Sequence, residues 1–162
     1  MKESQSLALR AVRRLLATGN TLATAESCTG GLIAKLITDI PGSSEAFSGG
    51  LVTYTNHLKC KLLGVRPETI ERYTEVSLAC AAEMAEGARR ATDCTVGVST
   101  TGFAGPGGGT PEDPVGTVYI AVSTSTGTLS ERFSAPPDAD RQQVRSAAAH
   151  RALELVLKQL EN

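Results

Sequence analysis

The sequence predicts one α/β domain with three α/β/α layers, in which helices cover both faces of a mixed sheet. Two observations predict this class. Helical and strand-like segments alternate through the first part of the chain, and adjacent strand-like segments follow towards its end. Alternation is typical of parallel strands, whereas strands without an intervening helix pair antiparallel. With 162 residues the chain can bury one substantial core, so we expect a single domain over residues 1–162.

Hydrophobic periodicity gives the order of the elements along the chain. We expect helices ending near residue 18, at 29–38, at 77–92 and at 138–160, with one short helix closing at 62–65 and another opening at Pro67. We expect strands at 22–25, 49–55, 95–101, 116–123 and 129–134. If the first two strands are neighbours, their carboxyl ends lie at one edge of the sheet, where open α/β sheets bind ligands.

The composition argues against several classes of function. A net charge of -1 and a pI near 6.1 give no electrostatic basis for binding nucleic acid or an anionic membrane. An aromatic content of 4% with no Trp offers few platforms for base stacking. No apolar run is long enough to span a bilayer, and the polar start is unlike a signal peptide, so we expect a cytoplasmic protein.

The cysteines and histidines show no metal-ligand spacing. Cys28, Cys60, Cys80 and Cys94 form no CxxC pair, and the two histidines are far apart. We therefore expect reduced thiols, and neither a metal nor a cofactor. Cys28 stands near an expected helix start, where a thiol can acquire a lowered pKa, although we expect it to be a packed side chain.

The turn after the first strand carries the most reactive set of residues. Ser27 lies there with Thr29 and two adjacent glycines, Gly30 and Gly31. The free N–H groups of a helix start favour a bound phosphate or a developing oxyanion, and glycine lets a ligand approach the backbone. Ser27 is therefore a candidate nucleophile, with a helix N-cap as the structural alternative. Glu26 either orients its neighbours or caps a backbone.

A second candidate segment is the glycine-rich connection TGFAGPGGG. It lacks the following helix that a dinucleotide-binding fingerprint requires, and it lacks the lysine of a phosphate-binding loop. Successive N–H groups in such a connection can form a nest that binds an anion. We expect ligand contacts from Gly102, Gly105, Gly107, Gly108 and Gly109.

Tyr54 and Lys59 are a third group of candidates. Tyr54 closes the expected strand at 49–55, and Lys59 follows in the next loop or helical turn. Lys59 can act as a base for a serine only if burial or nearby positive charge lowers its pKa. The alternative is a solvated surface lysine. His57 is expected to be a polar loop residue.

Two further hydroxyls and two arginines complete the candidates. Ser44 and Thr101 lie on expected edge loops and are reserve nucleophiles or substrate-binding residues. Arg141 and Arg145 stand one helical turn apart near the start of the last helix. Guanidinium groups at this spacing either grip a phosphate together or face solvent.

Five blocks occur in one order along the chain: TAESCTGG, PGSS, YTNHLK, TGFAGPGGGTPEDPVGTVY and DRQQVR. Together they resemble the CinA C-terminal domain family, and within it the stand-alone nicotinamide-nucleotide amidohydrolases of the PncC type. The resemblance covers nearly the whole chain, from near Gln5 to the end. The sequence lacks the additional N-terminal domain of the longer CinA proteins. It also has Phe103 where the family pattern has an aliphatic residue, a change expected to reshape the substrate pocket.

The resemblance implies hydrolysis of the carboxamide of nicotinamide mononucleotide, which gives nicotinic acid mononucleotide and ammonia in pyridine-nucleotide recycling. On this view Ser27 attacks the carboxamide carbon, Lys59 carries the proton and Tyr54 assists by hydrogen bonding. The backbone N–H groups of residues 29–31 would hold the oxyanion. The glycine nest, together with Arg145, would hold the 5′-phosphate. No metal is required.

Other interpretations stay open at this point. Ser44 is an alternative nucleophile. A non-catalytic, regulatory nucleotide-binding module fits the competence- and damage-linked name of the family, and it would bind a pyridine mononucleotide without releasing ammonia. A pure oligomerisation domain explains the alanine-rich helix at 77–92 but not the glycine loop. We expect a homo-oligomer, with this helix as the candidate interface.

Overall fold

Five strands form one mixed sheet in the computed structural model of the protein, which describes residues 2–162. In chain order they are β1 (Leu22–Glu26), β2 (Phe47–Val52), β3 (Val96–Gly102), β4 (Thr117–Thr124) and β5 (Gly127–Ser134). Their order across the sheet is β2-β1-β3-β4-β5. β1 is parallel to both β2 and β3, while β4 is antiparallel to both β3 and β5.

Helices cover both faces of this sheet. In chain order the α-helices are α1 (Lys2–Thr18), α2 (Leu32–Thr38), α3 (Asn56–Leu63), α4 (Pro67–Tyr73), α5 (Leu78–Thr92) and α6 (Arg141–Glu161), and a short 3-10 helix (Ser43–Glu45) precedes β2. Helices α1, α2 and α6 share one apolar core with the sheet, and α3, α4 and α5 pack on the opposite face. The predicted three-layer α/β domain is confirmed. Within residues 2–162, no helix has the length and apolarity needed to cross a membrane.

The burial of each strand follows its position in the sheet. Every residue of β1 is buried, and β3 and β4 are buried along almost their whole length. The outer strands β2 and β5 instead alternate between half-buried and exposed positions. Strands covered on both faces favour small or apolar side chains, as at residues 22–25 of β1, while the buried Glu26 that ends this strand needs hydrogen-bond partners.

The sheet has a switch point at β1. From β1 the chain passes through α2 on one face to reach β2, and from β2 it passes through α3, α4 and α5 on the other face to reach β3. β2 and β3 therefore flank β1, and the carboxyl ends of all three strands meet at one edge. Ligands in open α/β sheets bind at such a point. The expected pairing of the first two strands is confirmed.

The small residues of α5 allow this helix to pack closely against its own chain. A Cβ on Gly97 of β3 would lie 2.1 Å from the carbonyl oxygen of Ala85, and one on Gly87 would lie 1.9 Å from that of Leu63. Backbone therefore touches backbone on both sides of α5, which excludes any larger residue at these glycines. Ala81, Ala85 and Ala88 of the stripe that suggested a subunit interface are buried inside the chain, whereas Leu78 is 48% exposed.

Two predicted element boundaries near the sheet edge are wrong. β2 ends at Val52 and does not continue to residue 55, because Thr55 is the N-cap of α3 and its side chain accepts a hydrogen bond from a first-turn amide. α2 begins at Leu32, because Gly31 takes a left-handed φ of 96° immediately before it. Tyr54 consequently lies in the loop after the strand.

Candidate functional site

A pocket of about 300 Å³ opens at the carboxyl edge of β1, β2 and β3. This volume is at the lower end of the usual range for small-molecule sites. The turn after β1, the start of α3 and the loop after β3 form most of its wall, as the sequence predicted. Its lining residues are Ser27, Cys28, Tyr54, Thr55, Asn56, Lys59, Glu75, Val76, Thr101, Gly102, Phe103, Ala104, Gly105, Gly107 and Arg141.

Ser27 and Lys59 meet inside this pocket. Lys59 Nζ donates a hydrogen bond to Ser27 Oγ over 3.1 Å. Ser27 is 8% exposed and Lys59 is 1% exposed, so water has little access to the pair. A serine hydroxyl within hydrogen-bond distance of a buried amine can lose its proton to that amine during nucleophilic attack.

Helix α3 explains how a lysine comes to be buried. The hydroxyl of Thr55 caps the helix, and Lys59 lies one turn before Leu63, so both side chains point to the buried face. Burial lowers the pKa of Lys59 below its ordinary value of 10.5, and smaller effects of Cys80 and Glu75 oppose this shift. The alternative of a solvated surface lysine is therefore wrong for this position.

The turn that carries Ser27 is held by the buried carboxylate of Glu26. Glu26 Oε1 accepts from the Thr29 hydroxyl over 2.6 Å and from the Ile33 amide over 2.9 Å. Its Oε2 accepts from the Ala34 amide over 3.1 Å. Glu26 therefore satisfies the first amides of α2 and occupies the positive end of that helix. The carboxylate is a cap, one of the two alternatives left open by the sequence.

This cap changes the role expected for residues 29–31. Thr29 is fully buried, and the Gly30 amide donates to the Ser27 carbonyl over 3.0 Å. Thr29, Gly30 and Gly31 do not line the pocket. The start of α2 is thus closed to an external anion, because its own chain already supplies a carboxylate there.

Cys28 lines the pocket without being an activated thiol. Burial raises the pKa of Cys28 from 9.0 to about 12, and the nearby charges of Lys59 and Arg145 lower it by less. The side chain is a neutral thiol at physiological pH, which agrees with the expected packed residue. All four cysteines are free.

Arg145 makes a different contact from the expected one. Its Nε donates to the Cys28 carbonyl over 3.1 Å, and one terminal nitrogen donates to the Thr29 carbonyl over 3.0 Å. A Cβ on Gly30 would come within 3.2 Å of the same guanidinium group. Arg145 therefore clamps the backbone of the Ser27 turn from α6, and it does not line the pocket.

Arg141 does reach the pocket, at its opening. One terminal nitrogen donates to the Gly105 carbonyl over 2.7 Å, and the other donates to the Tyr54 hydroxyl over 3.0 Å. Tyr54 is 58% exposed, and its hydroxyl bonds to Arg141 instead of Ser27 or Lys59. Arg141 thus ties the loop after β2 to the glycine-rich loop.

The glycine-rich loop contributes only part of its length. Gly102, Gly105 and Gly107 line the pocket, whereas Gly108 and Gly109 do not. Gly109 has a φ of 84°, and a Cβ there would lie 2.8 Å from the Val115 amide nitrogen, so its conformation and packing both require glycine.

Three other candidates can now be placed. Thr101 lines the pocket, and its hydroxyl donates to the Glu75 carbonyl over 2.7 Å. Ser44 is exposed on the 3-10 helix before β2, at the sheet edge opposite to Ser27. His57 is exposed in the first turn of α3. Within residues 2–162, no three His, Cys, Asp or Glu side chains come together as metal ligands.

Five lining residues were missed by sequence reasoning, and one of them, Ala104, lies within the glycine-rich segment that the sequence did identify. Thr55 and Asn56 adjoin the predicted strand end, and the sequence Thr55 to Leu58 has the polar start of a capped helix, which was a usable signal. Glu75 and Val76 lie in the linker between α4 and α5. No local pattern marks them, because only the pairing of β3 with β1 brings this linker to the edge of the sheet.

The fold and the site together define a class of protein. It is a three-layer α/β domain that presents a buried serine–lysine pair at the switch point of its sheet, beside a glycine-rich loop. Comparison with known proteins places it more narrowly. A family model for the CinA C-terminal domain matches residues 4–160, and the chain belongs to this family.

Relatives and solved structures agree with this assignment. The chain is 50% identical to a CinA-like protein of Myxococcus xanthus, over 98% of the chain and 37% of that relative. It therefore spans a little over a third of the length of that protein. A crystal structure of the competence/damage inducible protein CihA from Agrobacterium tumefaciens is 40% identical, covers 99% of this chain and 96% of its own, and superposes with a TM-score of 0.93. A CinA superfamily protein from Escherichia coli is 34% identical, with coverages of 96% and 90% and a TM-score of 0.91.

Proposed function

We propose that this protein is an amidohydrolase that cleaves the carboxamide of nicotinamide mononucleotide to nicotinic acid mononucleotide and ammonia. The observation that carries the proposal is the 3.1 Å contact between Ser27 Oγ and Lys59 Nζ, two residues that are only 8% and 1% exposed. An amide is a poor electrophile, so its hydrolysis needs a positioned nucleophile and a group that moves protons. The lowered pKa of Lys59 increases the fraction of neutral amine that can accept a proton.

In the first half of the reaction Ser27 Oγ attacks the carboxamide carbon while Lys59 Nζ accepts the hydroxyl proton. The carbonyl electron pair moves onto oxygen, and a tetrahedral intermediate forms. We assign the Cys28 amide to this oxyanion, because it follows the nucleophile and its residue lines the pocket. The amides of Ser27 and Gly30 are bonded to backbone carbonyls, whereas the Cys28 amide interacts with its own thiol, which an oxyanion would replace as the acceptor. The C–N bond then breaks as Lys59 returns the proton to nitrogen, and ammonia leaves.

In the second half water attacks the acyl ester on Ser27. Lys59 accepts a proton from the water and passes it to Ser27 Oγ as the ester C–O bond breaks. The products are the free serine and the nicotinic acid nucleotide. One amine thus serves as base and acid in turn, which a lysine with a lowered pKa can do near neutral pH.

The mouth of the pocket is suited to the phosphate of the nucleotide. Arg141 is fixed there by Gly105 and Tyr54, and the exposed loop residue Gly107 also lines the pocket. A guanidinium group and backbone amides are the usual ligands of a phosphate. In this proposal Arg141 replaces Arg145 as the phosphate ligand, and Tyr54 acts by orienting Arg141.

The test is release of ammonia from nicotinamide mononucleotide and from free nicotinamide. We expect release from the nucleotide by the wild-type protein and loss of that activity in Ser27→Ala. Ser44→Ala is the matched control, since Ser44 is exposed at the other edge of the sheet, and it should retain full activity. An inactive Ser44→Ala beside an active Ser27→Ala would reverse the choice of nucleophile. Binding of the nucleotide without any ammonia release would favour the non-catalytic module.

A further inference from the structure

We infer that Glu75 makes this pocket selective for a carboxamide carried on a positively charged ring. The inference rests on the proposed function and adds the charge of the substrate ring as a determinant of specificity. It starts from the one wall of the pocket that the mechanism above does not use, namely the linker between α4 and α5.

The backbone of this linker is fixed against the sheet. The hydroxyl of Thr101 on β3 donates to the Glu75 carbonyl over 2.7 Å, and the Thr74 hydroxyl donates to the Val76 carbonyl over 3.2 Å. Val76 is buried and lines the pocket together with Glu75. Glu75 is therefore held at a defined place in the wall, beside the carboxyl end of β3.

Charge is unevenly distributed around the pocket. Lys59, Glu75 and Arg141 are its charged lining residues, and hydrogen bonds to the Gly105 carbonyl and the Tyr54 hydroxyl hold Arg141 at the mouth of the pocket. Within residues 2–162 the Glu75 carboxylate has neither a hydrogen bond nor an ion pair. When Lys59 is in the neutral form that the mechanism requires, Glu75 leaves this part of the pocket with an unpaired negative charge.

A pyridine ring bonded through nitrogen to ribose carries a permanent positive charge. Moving such a ring out of water is costly unless an opposite charge receives it. Glu75 supplies that charge, and the aromatic ring of Phe103 in the same lining adds a surface that attracts cations. A neutral ring would instead leave the carboxylate unpaired, so the pocket attracts one ring and disfavours the other.

Glu75 also acts on Lys59, because its charge raises the pKa of the amine. This effect changes the proton affinity of the base in the same way for every substrate. Selection by ring charge is different, since it changes the ratio of the affinities for a cationic and a neutral substrate. The two roles are therefore separated by measuring that ratio.

The experiment uses two ligands that differ in ring charge. Nicotinamide mononucleotide has a cationic ring, and its reduced dihydro form has a neutral ring with the same carboxamide, ribose and phosphate. Binding of each is measured by calorimetry at mildly alkaline pH in the Ser27→Ala protein, in which the carboxamide stays intact. We expect the cationic form to bind about tenfold more tightly, and Glu75→Gln to remove this preference while changing affinity for the neutral form by no more than about twofold.

Glu71→Gln is the matched control, because Glu71 is exposed on α4 and does not line the pocket. It should leave both affinities unchanged. Equal affinity for the two ligands before any change at Glu75 would overturn the inference, and so would a Glu75→Gln variant that weakens both equally. If the wild-type protein releases no ammonia from the nucleotide, the proposed function fails, yet the ratio of affinities still decides the role of Glu75.

Discussion

Two buried ionisable side chains lie within a few residues of the same sheet edge, and their surroundings differ. Glu26 at the end of β1 and Lys59 on α3 are each 1% exposed. The Glu26 carboxylate accepts three hydrogen bonds from its own turn and helix, whereas the Lys59 amine makes one within residues 2–162, to Ser27. A buried charged group with a full set of partners stabilises a structure, while one with a single partner and open neighbouring space is available for chemistry.

The largest expected effect is the loss of activity when the Lys59 amine is removed, which tests whether Lys59 serves chemistry and not stability. Lys59→Met should reduce ammonia release by about a thousandfold, because the nucleophile loses its base. The fold should persist with equal or higher stability, since a thioether is buried at lower cost than an amine. Rates and urea unfolding check both statements. Lys61→Met on the exposed face of α3 is the control, and a Lys59→Met variant near wild-type activity would remove Lys59 from the mechanism.

The next effect is on stability. Glu26→Gln should lower the free energy of unfolding by about 2 kcal/mol, because the amide cannot replace both carboxylate oxygens as acceptors. Urea unfolding measures the loss, and Glu45→Gln on the exposed 3-10 helix should show none. If Glu26→Gln were fully stable but inactive, Glu26 would take part in the chemistry, and the assignment of Glu26 to stability and Lys59 to chemistry would be wrong.

The pH dependence tests the state of Lys59. The proposed base is the neutral amine, so kcat/KM should rise about tenfold per pH unit at pH values below the lowered pKa of Lys59. It should become constant at higher pH, and the midpoint of this change should lie below 10.5. The unfolded chain binds this proton more tightly, so the stability of the wild type relative to Lys59→Met should increase as pH rises from that midpoint towards 10.5. A relative stability that falls with pH in this interval would show that the amine is charged in the fold.

The smallest effect concerns the cap of the helix that carries Lys59. Thr55→Ala should cost about 1 kcal/mol of stability, because the Leu58 amide loses its acceptor. Thr55→Ser keeps that acceptor and should be close to wild type. Thermal unfolding of the pair measures the difference. Equal stability of the two variants would mean that the cap is not what holds the start of α3.

The residues around the pocket differ in how far sequence could locate them. Ser27 and Lys59 were named from residue type and from the expectation that parallel strands end at one edge, and the structure brings them together. Arg145 was expected at the phosphate but clamps the Ser27 turn. Spacing along a helix indicates that two side chains share a face, but it does not indicate what lies opposite to each.

The amino-acid sequence alone determined the fold class, the order of most elements and the family, because periodicity, glycine positions and motif order are local properties. Only the tertiary structure decided which polar groups are already satisfied. Glu26 closes the start of α2, Arg141 and Tyr54 pair at the mouth, and Glu75 reaches the pocket from a distant linker. These outcomes depend on contacts between segments far apart in the chain, and hydrogen bonding, burial and charge are set by such contacts.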